Sequence, residues 1–205
     1  MKKYFFYPIL ILTLVHCTSK NKTVNNQINT DIVTTDSNQA VKGFFPITSF
    51  LKGQLIILDS LPITLMHTIT INKKTDTSWL KKQEIRPLLQ PFIADEITAT
   101  NMAPFFTETK FKDETINTIT YTYRPTNTLP DSIALRHWDM YINPETGSIQ
   151  KIYLVKEKIE NNKTYTFQLI WQTNKWAKIT TLLKNKNGQN EVAKEEKITW
   201  AFTEQ

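Results

Sequence analysis

The chain has 205 residues, of which 40% are apolar, 21% charged and 11% aromatic; this fits one globular domain, or a domain with a tail, and is too aromatic for a fully disordered chain. Its 4 glycines exclude collagen-like repeats and Gly-rich phosphate loops, and no apolar run reaches the roughly 20 residues of a membrane-spanning helix. The formal charge of +6 comes from lysines interleaved with glutamates, as in Lys156-Glu157-Lys158 and Lys194-Glu195-Glu196-Lys197, which describes solvated edges rather than the basic stripe of a nucleic-acid binder, so no nucleic-acid partner is expected.

Met1-Lys2-Lys3 opens the chain with positive charge. Tyr4 to Val15 follows as an apolar run broken only by Pro8 and Thr13. Charge followed by a short apolar run is the layout of a secretory signal. The run ends in Leu14-Val15-His16-Cys17, and Cys17 is the only cysteine, so it has no partner for an internal disulfide. Leu14 and Cys17 resemble the lipobox of bacterial lipoproteins, with His16 standing where that family usually has Gly, Ala or Ser. The resemblance implies a signal peptide over residues 1–16, cleavage before Cys17, and acyl chains on its thiol and new amino group. Several chains on one residue anchor stably where a single chain does not. The expected location is the cell envelope, lipid-anchored, with the outer membrane favoured over the inner.

Residues 17–43 read as the lipidated cysteine and a polar tether. Fourteen of the 26 residues from Thr18 to Gly43 are Thr, Asn, Ser or Gln, and none is aromatic. Such a segment buries too little apolar area to offset its ordering entropy, and as a coil it would span about 28 Å. A single domain is expected over residues 44–205.

Pro46 suits the first turn of a helix, and Ile47, Phe50, Leu51, Leu55 and Leu58 recur at helical spacing until Asp59-Ser60-Leu61-Pro62 ends it. Gly53 inside this helix is expected to mark a tight contact with the sheet. Ile63, Leu65, His67, Ile69 and Ile71 alternate with Thr64, Met66, Thr68 and Thr70 as a strand. Asn72 to Thr77 reads as a polar turn, and Ser78 as the cap of a second helix with Ile85, Leu88, Leu89, Phe92 and Ile93 on its apolar face. Pro87 and Pro91 predict a kink there, or two short pieces. From Asn101 to Phe111 the aromatic residues are expected to reach the core from a short helix or turn.

From Thr115 the period changes to two. Strands are expected around Asn117–Tyr123, Arg136–Ile142, Ile149–Lys156, Thr164–Trp171 and Trp176–Leu183, with a last one ending in Ile198, Trp200 and Phe202. Asn143-Pro144-Glu145-Thr146-Gly147 and Asn187-Gly188 supply turn chemistry. Seven strands with short links require antiparallel pairing. The expected fold is α+β: a curved antiparallel meander of about six to seven strands with two N-terminal helices packed on its concave face.

The runs Phe-Phe-Pro…Asp-Ser-Leu-Pro (Phe44–Pro62) and Leu-Pro-Asp-Ser-Ile-Ala-Leu-Arg-His-Trp-Asp…Tyr-Leu-Val (Leu129–Val155) are similar to a group of Bacteroidota lipoproteins. That resemblance implies an envelope location and brings no activity, cofactor or site residue.

The body carries no phosphate-cradling loop, Gly-x-Ser-x-Gly elbow or His-Glu-x-x-His pair. In Arg136-His137-Trp138-Asp139, strand alternation sets Arg136 and Trp138 on one side and His137 and Asp139 on the other. An acid–base or metal pair needs that placement, although a solvent-facing polar pair is the simpler reading. Asp113-Glu114 reads as a solvated doublet. Trp79, Trp138, Trp171, Trp176 and Trp200 either fill a core or line an apolar trough. No catalytic, cofactor or metal residue is assigned, and Cys17 is the one modification site. The leading expectation is a non-catalytic binding or assembly module with an envelope protein as partner. The alternatives are a carrier for an apolar ligand between sheet and helices, by analogy with envelope carriers built as half-barrels on helices, and an enzyme using His137 and Asp139.

Overall fold

The computed structural model describes residues 44–94 and 96–200, all within the second of the chain's two units, residues 40–205. The expected signal, the acylated Cys17, the tether and Phe202 lie outside the described residues.

Helix α1 (Ile47–Ser60) forms where the helical spacing places it, and it buries Ile47, Leu51, Leu55 and Leu58. Strands β1 (Leu65–Ile71) and β2 (Lys74–Leu80) follow as a hairpin closed by Asn72 and Lys73, both at positive φ. Helix α2 (Lys82–Ile93) starts one residue after β2, with the Glu84 carboxylate accepting the Lys81 amide at 2.7 Å. A short helix α3 (Ala99–Met102) leads into β3 (Phe106–Asp113). Then come β4 (Thr118–Pro125), β5 (Leu135–Ile142), β6 (Ile149–Glu160), β7 (Lys163–Gln172), β8 (Trp176–Lys184) and β9 (Asn190–Thr199). All pairings are antiparallel in one sheet of order β2-β1-β9-β8-β7-β6-β5-β4-β3.

The α+β class holds, with nine strands where six to seven were expected. The two extra strands are β2, expected as turn and helix cap, and β3, expected as turn or short helix. They are the two edges of the sheet. β2 is exposed from Lys74 to Trp79, and β3 is buried only at Phe106, so neither shows the one-sided apolar alternation that marks a half-buried strand. The helix placement differs as well: only α1 precedes the sheet, whereas α2 and α3 sit between its two edge strands. Ser78 lies in β2 and caps nothing. Pro87 and Pro91 do not split α2, which runs unbroken through both.

One face of the sheet carries Tyr123, Trp138, Met140, Ile152, Leu154, Leu169, Trp171, Ala177 and Ile198, and these join the buried residues of α1 and α2 in one core. Phe92 of α2 meets the Trp171 ring edge-on at 5.5 Å, and Phe44 contacts Tyr123 at 5.1 Å. Lys156 on the same face is buried and donates to the Pro91 carbonyl at 2.7 Å. That carbonyl lies in the last turn of α2, where acceptors have no intrahelical partner and a positive charge is favoured. Between the helices, Arg86 grips the Asp59 carboxylate through Nε at 2.7 Å and Nη2 at 2.6 Å.

Gly53 makes no tight contact, because a Cβ built there meets nothing within 4 Å. Its cost to the helix is therefore conformational only. Gly53→Ala is expected to raise the unfolding free energy by about 0.5–1 kcal/mol, read as a higher urea midpoint at unchanged slope.

Candidate functional site

The interior between helices and sheet is filled. Trp138 and Trp171 have 0% of their surface exposed and Trp200 1%, so the apolar trough considered from the sequence is closed by its own tryptophans. Among the described residues, open grooves lie where the helix layer meets the strands at either side of the sheet.

The larger groove, about 610 Å³, lies between α2 and the β1–β2 hairpin. A single residue joins β2 to α2, so strand and helix diverge from one corner and the groove is the wedge between them. Trp79, 70% exposed, and Leu80 line it from β2, with Gln83, Pro87 and Leu88 across from them on α2. The prolines shape its chemistry. Pro87 and Pro91 lack the N–H that would bond, in α-helical fashion, to the carbonyls of Gln83 and Pro87. Those two carbonyls, one turn apart, thus lose the amide partner that a regular α-helix would give them. At the strand side stands His67, whose Nε2 is buried without a hydrogen-bond partner, 3.7 Å from Glu196 Oε1. The other oxygen of Glu196 holds Lys194 at 2.7 Å. The groove thus combines an exposed indole and apolar side chains with polar residues of both walls, Ser78, Gln83 and Glu84.

The second groove, about 370 Å³, is lined mainly by Phe44, Phe45, Tyr121, Tyr123, Met140 and Ile142, with Glu108 as its carboxylate. Burial, and then the neighbouring Glu108 carboxylate, push the Tyr123 hydroxyl well above its ordinary range.

His137 and Asp139 fall on one face, as the alternation requires, opposite the buried Trp138. It is the face that no described helix covers. Arg136 joins them there, against expectation: the β5–β6 register slips between Leu135 and His137, and Arg136 pairs with Glu157 at 2.8 Å. Asp139 is 7% exposed, and its Oδ1 has no hydrogen-bond partner; the nearest cation is Arg124 Nη2 at 3.9 Å. His137 stands edge-on to Tyr153, with ring centroids 5.6 Å apart. Burial raises the Tyr141 and Tyr153 hydroxyls, and the Asp139 carboxylate raises them further. Among the described residues no hydrogen bond links His137 to Asp139, and neither residue lines the two grooves above. No group of three or more His, Cys, Asp or Glu among the described residues is placed to hold a metal. The Asp113 carboxylate, from the acidic doublet, accepts the Thr115 amide at 2.9 Å and so serves its own turn.

Comparison with protein-family models, curated proteins and solved structures finds no significant match for this chain.

Desolvation first, and then Arg124, hold the His137 imidazole below its ordinary value of 6.5, outweighing the pull of Asp139. The unfolded chain therefore takes up the proton at a higher pH than the folded one. The stabilisation is complete above 6.5 and is lost as pH falls through the lower folded value. Urea melts from about pH 8 to about pH 5 are expected to show falling stability, with a shallower fall in His137→Gln; equal slopes would remove His137 as the cause.

Proposed function

We propose that the chain is a lipid-anchored envelope protein whose body is a non-catalytic binding module, seating its ligand in the groove between α2 and the β1–β2 hairpin. The observation that carries this reading is the groove's make-up: Trp79, exposed beside Leu80 and Leu88, faces a helix that proline has stripped of two amide donors. An aromatic ring that stays in water, although the fold buries three other indoles, is suited to stacking on a ligand. Ser78, Gln83 and Glu84 on its walls suit a ligand that brings donors, such as amide N–H, amine or hydroxyl groups. The anchor rests on the signal-like N-terminus and Cys17, and the domain would reach its ligand at tether length from the bilayer.

The carrier reading survives in a narrower form. With the interior filled, an apolar ligand would occupy the 370 Å³ groove beside Phe44 and Tyr121, where aromatic and aliphatic side chains dominate.

The test compares wild type, Trp79→Ala and Tyr121→Ala, each extracted natively from membranes, with Cys17→Ala taken from whole cells. Incorporation of a clickable fatty acid is expected in all but Cys17→Ala. Native mass spectrometry is expected to find a bound species on wild type that is lost in Trp79→Ala and kept in Tyr121→Ala. Loss in Tyr121→Ala alone would favour the carrier groove, and no bound species on any form would overturn both.

A further inference from the structure

The outer edge of β3, unpaired among the described residues, is self-complementary, and we infer that two copies of this chain pair there, β3 against β3, to make one continuous sheet across a twofold axis.

The hydrogen-bonding parity of the edge follows from its inner side. The Thr126 amide donates to the Phe105 carbonyl at 2.9 Å, in line with the β3–β4 register that sets Phe106 opposite Pro125. Phe105 and Thr126 are thus a hydrogen-bonded pair, and alternation makes Thr107, Thr109, Phe111 and Asp113 the β3 residues bonded to β4. Pro125, which has no N–H to give, falls at a non-bonded position, as it must. The backbone groups of Phe106, Glu108, Lys110 and Lys112 therefore point outward from the sheet, and β3 is its last strand.

Two such edges dock antiparallel only in registers that set outward residue against outward residue. Three of these place the middle of the strand together. One sets Glu108 against Glu108 of the second copy, and another sets Lys110 against Lys110. Like charges directly opposite are destabilising. The remaining register places the twofold between the two Thr109 residues. Glu108 then lies opposite Lys110 twice over, on the helix-bearing face, and Phe106 lies opposite Lys112. All four outward residues exchange both of their backbone bonds with the second copy. On the other face Phe111, 64% exposed and without an apolar neighbour on β4, comes to lie over Thr107 of the second copy. Lysines on a sheet edge ordinarily deter pairing. Here the single glutamate among them singles out one register, and the symmetric contact is isologous and closes at two copies.

The area of one strand pair is small, so the dimer is weak in solution, on the order of micromolar or weaker. Sedimentation equilibrium of the full chain between about 1 and about 300 µM is expected to show a monomer–dimer equilibrium. Glu108→Lys and Lys110→Glu, each alone, turn both cross-strand pairs into like charges and are expected to weaken dimerisation roughly tenfold or more, whereas the double swap restores it to within about threefold. In the Glu108–Glu108 register the double swap would only replace one like-charge pair with another, so restoration identifies the register. Independently, Thr109→Cys sets two sulfurs across a non-bonded pair with Cα atoms about 4.5 Å apart, within disulfide range. It is expected to give a covalent dimer above the wild-type background, which Thr107→Cys does not. A chain that stays monomeric throughout, assembles into a ladder of larger species, or is not rescued by the double swap overturns the inference.

Discussion

A sheet of nine strands with one apolar face is unstable until that face is covered, and here the cover is built on indole rings. Trp171 and Trp200 pack at 5.1 Å and meet α2 through Phe92, while Trp138 stacks on Tyr123 at 4.4 Å and meets the start of the body through Phe44. The N–H groups of Trp138 and Trp171 have no hydrogen-bond partner among the described residues, so contact area rather than polar bonding holds these rings. Truncating a buried ring of this size typically costs about 3–5 kcal/mol, a large share of a domain's net stability. The helices lie where they do because these rings need them. The grooves described above lie at the margins of that cover.

The same constraint decided what could be read in advance. In β4 to β8 the helix-bearing face is the more deeply buried, so alternation such as Leu169 and Trp171 against the half-buried Gln168 and Ile170 carries the signal. The edge strands lack it. Lys74-Thr75-Asp76-Thr77 reads as a turn, with Ser78 as a helix cap, because water reaches both sides, and only the pairing with β1 makes it a strand. The groove was illegible for that reason: without β2 there is no wall opposite α2. Its other wall was half legible, since Pro87 and Pro91 stood out in the sequence, but as helix breakers rather than as members of an unbroken helix. The slip that turned Arg136 beside His137 depends on how β5 meets β6, which no local pattern in β5 records.

Polar groups in the body divide between holding the fold and facing outward. Lys156 closes the end of α2, the Thr48 hydroxyl accepts the Ile97 amide at 2.9 Å, and Arg86 with Asp59 joins the helices. These contacts fix the helix layer on the sheet and with it the angle between α2 and β2. The cluster around Asp139 lies on the far face and touches neither helix. Its tyrosines and Arg124 surround a carboxylate that the sheet itself keeps dry, in a polar patch knitted across three strands.

The order of strands has a consequence for how the molecule comes into being. β1 is bordered on one side by β2, next to it in sequence, and on the other by β9, the last strand. Met66 lies opposite Thr199, far along the chain, so this seam stays open until β9 has been made. Closing so long a loop is slow, because the chain must be brought together before the contact repays it. Until then β1 exposes a bare rim alongside an unsealed core. An unpaired strand edge beside exposed apolar surface is the aggregation-prone condition that chaperones guard against in nascent chains.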